Sequence, residues 1–189
     1  MCTQAQGVAV SGSYAYVTAM SSDSLVVVDI SNPASPVIRG SVVSSSLMDG
    51  ARGVAVSGSY AYVTSQISPS LVVVDVSDPA SPVIRGSVFS SSFLSGAKVA
   101  VAVSGSYAYM TAHNLHSLVV VDVSNPASPV IRGSVVSSSL LGGVRVRPGA
   151  SCARHASAPP IVLAPAAPLP ADALSRSHSL ALTICAHRL

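Results

Sequence analysis

The chain has 189 residues, 49% of them hydrophobic and only 9% charged, so it can bury a sizeable core beneath a Ser-rich, nearly uncharged surface. Its formal charge of +3 belongs to the end of the chain: residues 1–143 carry five basic groups against six aspartates, and residues 144–189 carry five arginines against Asp172 alone. Arginines scattered without aromatic residues argue against a nucleic-acid surface, and the apolar stretch Ile161 to Leu169, broken by Pro165 and Pro168, is too short for a membrane span.

From residue 5 onward one text is written three times. Tyr14, Tyr60 and Tyr107 occupy equivalent places, as do Asp29, Asp75 and Asp122, so the steps are 46 and 47 residues. A period of this size marks a blade or solenoid unit that cannot bury its apolar faces alone. The first copy begins within a few residues of Met1, which leaves no room for a signal peptide.

The second copy spells out the elements. Gly53 to Ser57 alternates apolar and small residues, the period of a strand. Ser57-Gly58-Ser59 is a turn in which Gly58 is free to take a positive φ. Tyr60 to Thr64 is the next strand. Leu71 to Val76 is apolar on both faces until Asp75, as in a strand covered on both sides. Ser77-Asp78-Pro79-Ala80-Ser81-Pro82 is a turn, and Pro82, like Pro36 and Pro129, precedes a last strand that suits a sheet edge, here Val83 to Phe89.

Four strands in about 46 residues fit a β-propeller blade. Within each Tyr-Ala-Tyr triplet both rings share one sheet face and the alanine (Ala15, Ala61 or Ala108) takes the other. Large residues facing small ones suit blade-on-blade packing, so the six tyrosines read as core. The expected fold is all-β: three four-stranded blades of about residues 5–50, 51–97 and 98–146, an incomplete ring.

The text Leu71-Val72-Val73-Val74-Asp75-Val76-Ser77-Asp78-Pro79, preceded by Ala51-Arg52-Gly53-Val54-Ala55-Val56 and Tyr60-Ala61-Tyr62-Val63, resembles the LVIVD repeat family. The resemblance implies a β-propeller of larger surface-associated or secreted proteins, with no shared catalytic activity and no catalytic residue to carry over. Three copies are fewer than the four that a closed ring needs.

Gly143-Val144-Arg145-Val146 begins a fourth copy, and the text then changes. Residues 147–189 form an Ala/Pro-rich basic tail that reads as disordered; a shifted reading frame would produce so abrupt a change, and a partner-docking tail is the rival reading. Cys2, Cys152 and Cys185 lie outside the copies, are odd in number and form neither a disulfide framework nor a metal-ligand spacing.

Differences among copies gather in loops: Ala19-Met20-Ser21-Ser22-Asp23, Ser65-Gln66-Ile67-Ser68-Pro69 and Ala112-His113-Asn114-Leu115-His116. Variable loops on a repeated frame suit recognition; drift in solvated turns gives the same pattern. His113 and His116 form a His-x-x-His pair, but a tetrahedral metal site needs further ligands, and Asp122, the weak third candidate, lies at the far end of a strand. The recurring aspartates cap turns or ring a cation, with capping the simpler account. Arg39, Arg85 and Arg132 either pair with them between blades or face water.

No nucleophile elbow, catalytic triad spacing or phosphate loop stands out, and there is no Glu for paired-carboxylate chemistry. The expectation is a non-enzymatic binding or scaffold module without cofactor. Its partners are proteins, or further copies of itself through exposed blade edges. The alternative is a ligand- or metal-binding propeller that uses His113 and His116.

Overall fold

The computed structural model describes residues 4–94 and 100–141. The resumed repeat at 143–146, the tail at 147–189, Lys98 and the three cysteines lie outside the described residues.

Three four-stranded antiparallel sheets follow one another, each a simple meander. The first blade holds β1 (Ala5–Ser11), β2 (Tyr14–Ala19), β3 (Ser24–Asp29) and β4 (Val37–Val43). The second holds β5 (Ala51–Ser57), β6 (Tyr60–Ser65), β7 (Ser70–Asp75) and β8 (Val83–Phe89). The third holds β9 (Val101–Ser104), β10 (Tyr107–Ala112), β11 (Ser117–Asp122) and β12 (Val130–Val136). Among the described residues no helix is long and apolar enough to cross a membrane.

Local chemistry sets each turn. Ser57 pairs with Tyr60, so Gly58 and Ser59 alone reverse the chain, and Gly58 has φ +57° with nothing near a Cβ placed on it. The glycine is there for its backbone freedom. The prolines precede β4, β8 and β12, which are edge strands, where a missing donor is harmless.

Two irregularities escape the alternating pattern. The register of β3 on β4 jumps between Val27–Gly40 and Val28–Ile38, leaving Arg39 as the extra residue of a bulge; Arg85 and Arg132 stand in the same bulge of their blades. A second bulge interrupts β5 on β6, around Arg52 and Gly53 opposite Thr64, whose hydroxyl accepts a hydrogen bond from the Gly53 N–H at 3.0 Å.

The core lies between blades. One cluster joins Tyr16, Leu25 and Val27 of the first blade to Ala61, Val63, Val72 and Val74 of the second. The next joins Tyr62, Leu71 and Val73 of the second blade to Ala108, Met110, Val119 and Val121 of the third. Each junction therefore sets a Tyr face against an Ala face. Leu71 to Val74 are wholly buried because the second blade is covered on both sides.

The expectation that all six tyrosines are core needs correction. Tyr16 and Tyr62 are buried, which raises their phenol pKa, with Tyr14 and Tyr60 adding to the shift. Tyr14, Tyr60 and Tyr109 are half-buried, and Tyr107 is 42% exposed because no described blade packs on the Tyr face of β9–β12. The Ala face of β1–β4 is open in the same way, with Val8, Val10 and Ile38 exposed.

The Ser-Ser-Ser text after each blade also has structural work. Ser44 takes the Met48 N–H on its carbonyl at 2.8 Å and the Leu47 N–H on its hydroxyl at 3.3 Å, winding a turn that drops Met48 into the core. Ser90 winds the equivalent turn, Ser91–Leu94, and buries Leu94.

Candidate functional site

Because each blade is a meander, its loops divide between two ends. The turns after β1 and β3 lie at one end, and the loop after β2 and the connector to the next blade lie at the other. The text is nearly constant at the first end and variable at the second.

The constant end is a clamp. In the first blade Asp29 takes the Ser31 N–H on Oδ1 at 2.9 Å, and Arg39 donates to Oδ2 through Nε at 3.0 Å and Nη2 at 2.7 Å. Asp75 holds Ser77 and Arg85 alike, and Asp122 holds Ser124 and Arg132. The bonded serine hydroxyl and N–H, then the arginine, lower each carboxyl from 3.8 to about 2. The capping reading of the aspartates therefore accounts for them. The arginines pair within their own blade, ten residues along, rather than between blades. The bulge explains this, since it aims the arginine along its own strand pair.

At the variable end the connector from the first blade is stitched to both of its neighbours. The Gly50 N–H donates to Asp23 Oδ1 at 3.0 Å, while Ser65 and Ser70 hydroxyls donate to the Leu47 carbonyl at 3.1 and 2.7 Å. The Ile67 N–H donates to the Asp49 carbonyl at 3.2 Å, leaving the Ile67 side chain 60% exposed on the rim. Asp23 and His116 both take φ +48°, a conformation that non-glycine residues adopt at some cost.

Arg52 stands at this end, within the bulge of β5. Its Nη2 lies 3.8 Å from Met20 Sδ of the first blade, and its Nε is buried with no hydrogen-bond partner. Gln66 Oε1 is likewise buried without a partner, and Ala51 and Ser65, the residues just before the two, pair across β5 and β6. The other described arginines each hold an aspartate, so among the described residues Arg52 is the guanidinium without a carboxylate. A planar donor of this kind suits a carboxylate or another anionic group.

The histidine candidates separate from their third partner. His113 is exposed in the 3-10 turn His113–Leu115 and sits 3.4 Å through Nδ1 from Asn114 Oδ1; His116 follows that turn. Asp122 lies at the opposite end of β11, six residues beyond His116 and so roughly 20 Å away at about 3.3 Å per residue. Among the described residues no three His, Cys, Asp or Glu side chains gather in a metal-binding group. Arg52 was missed by sequence reasoning, and Gln66 stood out only as part of a variable loop; the available signal was that Arg52 stands outside the periodic set of Arg39, Arg85 and Arg132.

Comparison with known proteins agrees with this architecture. The LVIVD repeat matches residues 3–44, 50–89 and 95–137. Among solved structures, a functionally unknown protein from Desulfotomaculum acetoxidans aligns at TM-score 0.60 and 15% identity, over 70% of this chain and 42% of its own. A protein from Bacteroides uniformis, provisionally described as a 6-phosphogluconolactonase, aligns at 0.60 and 16%, over 71% and 42%. The β-propeller domain of Cps50 (Swd1) from Myceliophteria thermophila aligns at 0.54 and 13%, over 71% and 44%. At such identities the likeness is one of fold, and this chain spans less than half the length of those proteins. A search of the curated proteins gives no match.

Proposed function

The chain belongs to the LVIVD repeat family, and on that premise we propose that it is a non-catalytic recognition module, binding a partner that offers an acidic group to the loop end of its blades. The observation that carries this reading is the division of labour between the two ends. One is constant and internally satisfied; the other carries the variable text and Arg52, a guanidinium with no carboxylate among the described residues. Met20 lies against it, and the exposed Ile67 stands over Gly50, two residues before it in the chain, so the same end carries apolar surface, a common setting for a charged anchor in an interface.

A non-catalytic role is supported by the state of the candidate groups. Asp122 is engaged by Ser124 and Arg132, and the two histidines stand a strand's length from it. The resemblance puts such modules in larger surface-associated propellers, and the matched solved structures are more than twice as long as the stretch this chain spans in them.

The test is selection of a random peptide library on the full chain, on Arg52→Ala and on Asn125→Ser at the constant end. Acidic peptides should be enriched by the parent and by Asn125→Ser, and lost with Arg52→Ala. Equal enrichment by all three proteins, or none by the parent, would refute the reading.

A further inference from the structure

We propose that a second copy of the chain covers the open Tyr face of β9–β12 with the open Ala face of its own β1–β4, so that two copies close a ring of six blades. The inference concerns the faces of the blades, and the loop-end recognition proposed above plays no part in it.

The inner junctions are the template, and each of their features has one unmatched half at each end of the array. A Cβ on Gly40 would lie 2.6 Å from the Pro79 and Ala80 carbonyl oxygens, and one on Gly86 would lie 2.6 Å from those of Pro126 and Ala127. The glycine is thus a hole that receives the Pro-Ala turn of the next blade. At Gly133 nothing lies within 4 Å among the described residues, so the third blade presents the hole empty of them. The first blade presents the knob bare: Pro33 is exposed where its equivalents Pro79 and Pro126 are half-buried, and Pro36, which ends the same turn, is exposed where Pro82 and Pro129 are buried.

Other contacts divide in the same way. Met48 and Leu94 are wholly buried under the following blade, while the equivalent Leu141 is 46% exposed. Thr18 of the first blade donates to the Arg52 carbonyl of the second, whereas Thr111 of the third blade is exposed. The residue of the first blade equivalent to Arg52 is Gln6, whose carbonyl is the acceptor that a second copy would offer.

Hole and knob lie on opposite ends of the array, so the pairing is head to tail. Like faces laid together would set hole on hole or knob on knob and leave both unmatched. A head-to-tail interface either closes a ring or runs on as a filament. Two copies supply six blades, within the usual range of roughly four to eight for a closed propeller.

Sedimentation velocity of the full chain tests this, with two variants that damage one face each. Gly133→Leu fills the hole where the described residues offer no clash, and Val10→Arg charges the opposite face at a residue already 62% exposed. The parent should sediment at twice its 18.9 kDa mass. Each variant alone should be a monomer with an unchanged far-ultraviolet spectrum and association weakened roughly tenfold or more. An equimolar mixture of the two should regain a dimer, because one intact face remains on each partner. Ile67→Ser, on the rim, should dimerise like the parent. A parent that stays monomeric at every concentration or polymerises without limit overturns the proposal. So does dimerisation of either variant alone, which means like-face or edge pairing, or a mixture that remains monomeric.

Discussion

Leu71 and Leu118 are the same residue of the same repeated text, yet the first is wholly buried and the second only half so. The same contrast separates Tyr62 from Tyr109 and Leu94 from Leu141. Inner junctions and terminal faces differ in neighbours, not in sequence. The lesson is that a blade's apolar residues are chosen for the sheet beside it, and a single blade has little core of its own.

The sharpest way to break this comparison is to truncate matched residues in the dissociated protein, for which Gly133→Leu provides a background. Leu71→Ala should cost about 3 kcal/mol in urea unfolding, from lost burial plus the cavity left behind. Leu118→Ala should cost about 1–2 kcal/mol, because the half-buried side chain has less burial to lose and leaves no closed cavity. Equal losses would mean that the third blade is covered by something other than another blade.

A smaller contrast is expected at the glycines. In the otherwise unaltered chain, held dilute enough to dissociate, Gly86→Ala meets the Pro126 and Ala127 carbonyls and should cost about 1–3 kcal/mol. Gly133→Ala meets none of the described residues and should fall within about 0.5 kcal/mol of the parent.

The aspartate clamps supply the converse case, since they lie within single blades and are alike in all three. Their carboxyls titrate near 2 when folded against 3.8 when free, so the unfolded chain binds more protons between those values. Their contribution to stability is full above about pH 4 and is lost as pH falls toward 2. An acid titration of the parent against a protein with Asp29, Asp75 and Asp122 all changed to Asn should show this loss only in the parent.

The smallest effect concerns the loop end. His116 holds φ +48°, and His116→Gly should raise stability by about 0.5 kcal/mol, the relief of left-handed strain less the entropy of glycine. A fall in the urea midpoint would mean that the imidazole makes a contact worth more than that strain.

Much of the fold was legible because the sequence repeats. Alternation in Val54-Ala55-Val56, the Gly58 turn and the Asp-Pro turn gave strand boundaries within about two residues, and the Tyr-Ala-Tyr triplet gave the packing rule between blades. Bulges were not legible, because an extra residue shifts the phase of an alternation and Val37-Ile38-Arg39-Gly40-Ser41 has no clear alternation to shift; Arg39 therefore read as facing either water or the next blade. The candidate site was half legible. Variable loops could be seen, but their gathering at one end follows from the meander, and the unsatisfied Nε of Arg52 belongs to a bulge that only the register shows. The exposure of Tyr107 depends on a neighbour, which no single repeat can announce.

Native-state hydrogen exchange, read strand by strand on the dissociated Gly133→Leu protein, tests most directly whether neighbours rather than sequence set the strength of each blade. Amides of β6 and β7, covered on both sides, should exchange most slowly, with β2, β3, β10 and β11 faster although their sequences match. Equal protection in all three blades, or slower exchange in a terminal one, would contradict the account.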